Sequence, residues 1–335
     1  MECKINPVIS IIMVAYNRKK FLIKAIESVL IQNIPRESYE IILVKNFFDT
    51  EIDAFLLRNN VITVMFEDEP WGESLYKGIS RATGNIIAFL DDDDEFTQGK
   101  LKRILDIFCS EGSVVYYHNS FILISEDGEL LRSPFNARNK IACMVSKGDT
   151  RNILRVLRQG LFSNLSSVAV SNDFISHYIQ KIKSLTSAMD VFLFYMALES
   201  GKFLFFDNSA LTEYFIRKQS AMHSIGDLDF FIQSTRRESR NEFRTYQLIS
   251  NCLCDSNLLR ISTGIGLQWK IFLDTFDENF NFNRYFDSYI LFLKNAIFIR
   301  PRFTILVSFV FFIRIIFGEK AKLIIYFLRT KFLLV

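Results

Sequence analysis

Apolar runs of strand length alternate with helical stripes through the first 130 residues or so, which predicts an α/β protein with a mostly parallel central sheet and helices on both faces. Three observations carry this reading. Residues 8–14 and 85–90 are continuous apolar runs of the kind buried on both faces of a sheet. Helical stripes recur between such runs. The second run then ends abruptly in Asp91, Asp92, Asp93 and Asp94, where a parallel sheet presents its ligand-binding edge.

In chain order, residues 8–14 form the first strand. Residues 18–31 follow as a helix, with Phe21, Leu22, Ala25, Ile26, Val29 and Leu30 on one stripe. A second strand is expected over 40–44, a short helix over 52–58 and a third strand over 61–66. A helix over 73–82 is closed by Thr83-Gly84. The fourth strand, 85–90, carries the acids at its end, and a helix over 100–109 follows. Beyond this the pattern loosens. Residues 114–125 read as a strand, with a turn signal at Asp127-Gly128 and a return through Leu130-Leu131. Residues 188–198 are helical, 203–206 strand-like, and about 225–285 helical and mixed in polarity. There is no internal repeat.

The 335 residues carry a net charge of only +3, so the overall balance gives no nucleic-acid footprint. Cys3, Cys109, Cys143, Cys252 and Cys254 are scattered, with no zinc-site spacing, and read as reduced thiols of a cytosolic protein. The first residues lack an apolar signal core, so no secretory signal is expected.

The acidic run has a chemical meaning. Adjacent carboxylates repel and raise one another's pKa unless a cation joins them, and their oxygens suit Mg²⁺ or Mn²⁺. A solvated acidic turn is the alternative. The wider context favours the first reading. Residues 10–18 (Ser-Ile-Ile-Met-Val-Ala-Tyr-Asn-Arg) and 25–32 (Ala-Ile-Glu-Ser-Val-Leu-Ile-Gln), then Gly72-Glu73-Ser74, Gly78-Ile79, Ala82-Thr83-Gly84 and the run from Phe89 to Asp94, together resemble family 2 glycosyltransferases. The likeness covers roughly residues 8–224.

That resemblance implies a GT-A fold over 1–225, with a nucleotide-binding half to about residue 115 and an acceptor half over 116–225. It implies transfer of a sugar from a nucleotide-diphosphate donor, with a divalent metal offsetting the charge of the departing diphosphate. Asp91 and Asp93 correspond to the Asp-x-Asp pair, Asp93 as the direct ligand and Asp91 on the ribose or a metal-bound water. Asp94 would support from behind. Asp92, at the variable middle position, is counted with the donor-binding residues but given no role of its own. Ala15, Tyr16 and Asn17 would line the nucleotide pocket. Arg217 and Lys218 resemble a loop closing over the diphosphate, against the alternative of a solvated basic turn.

An inverting transfer needs a base for the acceptor hydroxyl, and Asp190 is the candidate. Leu193 and Gly201 keep the family's register, while Met189 and Met196 replace its first acid and a later basic residue. The alternative makes Asp190 a helix N-terminal acid. The second strand departs most: Lys45 stands where the family has an acid for the base of the nucleotide, leaving Asn46 or Asp49 to read it.

From residue 291 the chain becomes apolar and basic, with Lys294, Arg300, Arg302, Arg314, Lys320, Lys322, Arg329 and Lys331 against Glu319 alone. Its apolar run is shorter than the ~20 residues of a spanning helix. A helical extension over 226–290 is therefore expected to lead into a 291–335 tail lying on an anionic leaflet. The protein would sit peripherally on the cytosolic face, with a single tilted span or packing within the protein as alternatives. The leading reading is a metal-dependent, inverting glycosyltransferase acting on a glycan or lipid-linked acceptor. A non-catalytic sugar-nucleotide or glycan-binding subunit is the alternative. A nucleotidyltransferase would need a Gly-rich phosphate loop after the first strand, which is absent.

Overall fold

The computed structural model of the chain describes residues 8–17, 19–67, 70–131, 142–216, 227–296 and 301–332. They fall into two compact units, Met1–Ile216 and Arg217–Val335.

In the first unit the buried run Ile9–Ala15 is β1. Asn17 then takes a left-handed conformation, φ +54, which turns the chain out of the sheet. α1 (Leu22–Leu30) begins four residues after the expected helix start at residue 18 and one after the first residue of its stripe. β2 (Tyr39–Lys45) and α2 (Thr50–Arg58) follow. The α2 helix starts earlier than its apolar residues suggest, because the Asp49 side chain accepts from the N–H groups of Glu51 and Ile52. β3 (Ile62–Met65), α3 (Trp71–Arg81) and β4 (Ile86–Phe89) complete the alternation.

β5 (Glu95–Phe96) and α4 (Lys100–Ser110) come next, then β6 (Val114–Ser125), which turns back through the Asp127-Gly128 turn to a bridge between Ile124 and Leu130. β7 (Cys143–Val145), α5 (Thr150–Gln159) and β8 (Val168–Ser171) follow. The short α6 (Asn172–Ser176) and α7 (Ile179–Ile182) lead to α8 (Met189–Glu199) and β9 (Phe203–Ile216).

The strands form one sheet in the order β3-β2-β1-β4-β8-β6-β9-β5, with β7 on β9. From β3 to β4 all pairs are parallel. Beyond β4 the sheet is mixed, because β8 runs antiparallel to both β4 and β6. β9 is longer than its sequence signal since it pairs along its length with β6. Ladder bonds here extend a strand whose side chains are only half-buried.

Helices cover both faces. Ile11, Met13, Ile41, Leu43 and Ala88 pack in one core with α1, α2 and α4. On the other face α3 approaches so closely that a Cβ at Gly78 would lie 2.8 Å from Ile12 Cγ2.

Several of the motif residues hold this frame together. Glu40 Oε1 accepts from the Ser10 hydroxyl at 2.5 Å, the Thr83 N–H at 2.6 Å and the Thr83 hydroxyl at 2.9 Å. The Gly84 N–H donates to Ser10 Oγ at 2.9 Å. This knot ties β1, β2 and the turn before β4 at the amino edge of the sheet. Ser28 Oγ on α1 accepts from the Phe96 N–H, while Gln32, just beyond the helix, donates to Thr97 O and accepts from the Leu101 N–H. The first motif therefore anchors the segment that follows the acids.

The second unit is helical: α9 (Leu228–Cys252), α10 (Ser256–Thr275), α11 (Phe282–Ala296), α12 (Pro301–Phe317) and α13 (Ala321–Phe332). Asp227 and Asp255 cap the first two. Leu267, Ile271, Tyr285, Tyr289, Phe292, Val307 and Phe311 form its core, with the Tyr289 and Phe311 rings stacked at 3.9 Å. Arg314 does not reach for a headgroup. It is 2% exposed, donates to Glu319 at 2.5 Å and Gly318 O at 2.9 Å, and lies over the Phe280 ring. Among the described residues no helix is long and apolar enough to cross a membrane, so the tilted-span alternative finds no helix to carry it there.

Candidate active site

The strand order reverses between β1 and β4, which makes their carboxyl ends a switch point where α/β sheets bind ligands. Tyr16 and Asn17 leave β1 there, and the acids follow β4. Ala15 is buried in the core beneath. Tyr16 is half-exposed, its ring 5.9 Å from that of Phe66, and the Asn17 N–H donates to Asn46 Oδ1 at 2.9 Å. The structure thus brings Tyr16, Asn17 and Asn46 to one edge.

Lys45 lies below that edge. It is 1% exposed, donates to Asp53 Oδ1 and Phe47 O at 2.6 Å each, and its charge faces the rings of Phe47 and Phe48. A buried ammonium needs such partners, so α2 supplies Asp53. Asp49 caps α2 and pairs with Lys19 at 3.0 Å.

The acids divide. Asp91 and Asp93 are partly exposed, whereas Asp92 and Asp94 are buried at 1% and 0%. As folded, Asp92 presents almost no surface to a donor. Asp94 Oδ2 accepts from the Ser166 hydroxyl at 2.6 Å and Oδ1 from the Phe215 N–H at 3.1 Å. Burial, then the charges of Asp91 and Asp93, hold its carboxyl well above the usual carboxylate range. Lys100, fully buried in the first turn of α4, donates to Thr212 Oγ1 at 2.7 Å and to Ser166 O. Burial pushes its ammonium well below the usual range, while the charge of Asp94 opposes that shift.

Asp190 sits in the first turn of α8. The Asn164 N–H donates to its Oδ2 at 2.9 Å. Burial raises its carboxyl to about 6, against the opposing pull of backbone N–H groups including those of Val191 and Asn164. Both supporting residues hold unusual backbone: Asn164 has φ +84 and Ala188 φ +54. Strain of this kind persists where surrounding contacts enforce it. Here Ser166 N donates to Asn164 Oδ1 at 2.8 Å, and His118 Nε2 meets Ser163 O at 2.8 Å. Burial lowers the His118 pKa to about 3, so the ring is neutral and donates there. Met189, where the family has its first acid, is fully buried in the core, as is Met196.

The 3-10 turn Leu165–Ser167 therefore joins the two groups of acids. Ser166 binds Asp94 and accepts the Asp91 N–H at 3.0 Å, while Asn164, two residues back, holds Asp190. Tyr214 on β9 completes the convergence. Burial raises its phenol above the usual range, and Asp94, Asp91, Asp93 and Asp190 all add to that shift. Arg217, Lys218 and His223 lie outside the described residues.

Sequence reasoning missed Asn164, Ser166, Lys100, His118 and Thr212. Two of them carried signals. Asn164-Leu165-Ser166 is an Asx-turn pattern. A lysine in a helix's first turn opposes the macrodipole, which points to a partner outside the helix.

Fold and site together define an α/β sheet with a carboxylate cluster at its switch point. Residues 10–164 match the glycosyl transferase family 2 model. An uncharacterized glycosyltransferase of Rickettsia bellii is 32% identical over 129 residues, covering 37% of this chain and 18% of that protein. The minor teichoic acid biosynthesis protein GgaA of Bacillus subtilis is 30% identical over 150 residues, 39% of this chain and 32% of GgaA. The chain thus spans only a fraction of the length of these relatives. The crystal structure of S. aureus TarS 1-349 in complex with UDP-GlcNAc has a TM-score of 0.56 at 13% identity, covering 93% of this chain and 92% of that one. At that identity the likeness is one of fold.

Proposed function

We propose that the protein transfers a sugar from a nucleotide-diphosphate donor to a hydroxyl of a glycan or lipid-linked acceptor, with inversion. The hydrogen bonds by which the Asn164–Ser166 segment holds Asp91, Asp94 and Asp190 about one turn support this reading. Asp190 is the base. A carboxylate held at about 6 is ionised near neutral pH and basic enough to take a proton. As the acceptor oxygen bonds to the anomeric carbon, its proton passes to Asp190. The bond from that carbon to the diphosphate oxygen breaks, and the nucleoside diphosphate leaves.

Asp91 and Asp93 would hold Mg²⁺ or Mn²⁺. They fit such an ion as hard, partly exposed oxygen donors whose charge already disfavours ionisation of Asp94. Among the described residues no group of three or more His, Cys, Asp or Glu side chains could hold a metal alone, so the donor's phosphates would complete the shell. When bound, the ion offsets the charge developing on the leaving diphosphate. Tyr16, Asn17 and Asn46 would receive the nucleoside, and Arg217 and Lys218 the diphosphate. The TarS complex makes UDP-GlcNAc the first donor to try.

Peripheral membrane association is the second part of the proposal. Ile305, Phe309, Phe312 and Ile316 recur at helical spacing on α12 and are 45–71% exposed. An exposed apolar stripe of this length suits a lipid interface.

The test is calorimetric titration of UDP-GlcNAc and other nucleotide sugars with Mn²⁺, then with EDTA. Metal-dependent binding that Asp93→Ala removes is expected. Unchanged affinity in EDTA would overturn the metal assignment, and no binding of any donor would favour a non-catalytic protein.

A further inference from the structure

α5 is an amphipathic helix with an unusual outer face. Ile153, Val156 and Leu157 are buried, while Arg151, Arg155 and Arg158 recur at i, i+4 and i+7 on the opposite side. Like charges at these spacings work against a helix, yet Thr150–Gln159 contains no acid to offset them. Among the described residues neither Arg151 nor Arg155 makes an ion pair. Titratable groups near this face include Asp149, whose carboxylate accepts from the Asn152 N–H and amide, Cys143, which lies near both Arg155 and Asp149, and Lys147, paired with Glu199. Arg151, Asn152, Arg155, Arg158 and Gln159 line a cavity of about 430 Å³. Gln159 Oε1 is buried and accepts no hydrogen bond among the described residues.

We infer that this cavity binds a phosphate-bearing segment of the glycan acceptor. The chemistry needs both halves of such a ligand. Guanidinium groups recognise phosphate oxygens in a forked geometry, whereas a buried amide oxygen needs a donor such as a sugar hydroxyl. Place in the fold supports the same ligand. Gly160, left-handed at φ +63, ends α5, and the chain runs directly to Asn164, which holds Asp190. Gln159 therefore lies within about 18 Å of Asn164 by chain length alone. An acceptor whose hydroxyl sits at Asp190 would reach the cavity with units further back along its chain. The inference rests on the proposed transferase reading for its acceptor role, but not for its binding chemistry.

The full chain is titrated with a short glycerol phosphate oligomer and, separately, with maltohexaose as a neutral glycan. Three proteins are compared: the wild type, Arg151→Gln/Arg155→Gln, and a charge-matched control, Lys181→Gln/Lys202→Gln. The oligomer should bind in a salt-sensitive way. The arginine variant should lose at least ~10-fold in affinity, the control should keep it, and maltohexaose should bind far more weakly. Equal losses in both variants, no oligomer binding, or equal binding of maltohexaose would each overturn the inference. So would arginine-dependent capture by phosphatidylglycerol vesicles without oligomer binding, which would make this face a membrane patch. Donor titration on the same preparations separates the two claims. A protein that binds donor but not oligomer loses only the cavity. One that binds oligomer through the arginines but takes up no donor loses the transferase reading.

Discussion

Asp190 shows how environment assigns a residue its chemistry. In sequence it is an acid near a helix start, indistinguishable from one placed for the macrodipole. In the fold, burial lifts its carboxyl to about 6. Because the folded value lies above the ordinary carboxylate value, the native state binds this proton more tightly than the unfolded chain. Ionisation therefore subtracts stability as pH rises from the ordinary range to about 6, and nothing further above it. Activity runs the other way. Transfer should rise roughly tenfold per pH unit below about 6 and level off above, since only the ionised carboxylate accepts a proton. Asp190→Asn should remove about 100-fold or more of the rate while leaving the thermal midpoint at pH 8 unchanged or higher. A residue serving only the macrodipole would instead lose stability with normal turnover. Asn164 makes a second test. Its φ of +84 suits glycine and asparagine far better than alanine. Asn164→Ala should cost about 1–2 kcal/mol more than Asn164→Gly in denaturant titration, and turnover should fall further in the alanine variant.

At the scale of elements, the motifs serve two distinct ends. The acids and Tyr16-Asn17 stand at the carboxyl edge of the sheet. Ser10, Thr83 and Gly84 stand at the opposite edge, where they knot three chain segments around Glu40. Gly84 is required by closeness of approach. A Cβ there would lie 2.7 Å from Ser10 N and 2.8 Å from Ile9 C, and these are backbone atoms that cannot swing aside. Gly84→Ala should lower the unfolding free energy of the first unit by about 3 kcal/mol in denaturant titration, with little direct effect on donor affinity in the fraction that folds. Lys45 is explained at the same scale. Read as a residue it was a departure at the nucleotide site; read with α2 it is a buried cation paired to Asp53 across one strand-to-helix connection.

At the scale of the molecule, the helical unit has its own core and an apolar stripe on α12 that stays 45–71% exposed, with Phe312 at its inner margin against Tyr289 and Phe311. If lipid covers the stripe, Phe309→Gln with Phe312→Gln should weaken co-sedimentation with anionic vesicles about tenfold or more, and nucleotide-sugar titrations should be unaffected. Equal sedimentation of variant and wild type would remove the membrane from the account.

Local pattern settled much of this protein. Two-sided apolar runs, helical stripes and the turn at Thr83-Gly84 fixed the parallel half of the sheet, because each depends on side chains within one element. The acid run and its neighbours were legible for the same reason, as was the resemblance over residues 10–164. The mixed half was not. β9 exceeds its four-residue signal because β6 pairs with it along its length, and no local period reports a distant partner. The site's supports are equally non-local. Ser166 meets the Asp91 N–H across 75 residues, Lys100 meets Thr212 across 112, and Phe215 meets Asp94 across 121. Residue type and local spacing determined which groups could do chemistry. Only the tertiary structure decided which of them meet, because desolvation and hydrogen bonding act between surfaces that the chain brings together after folding.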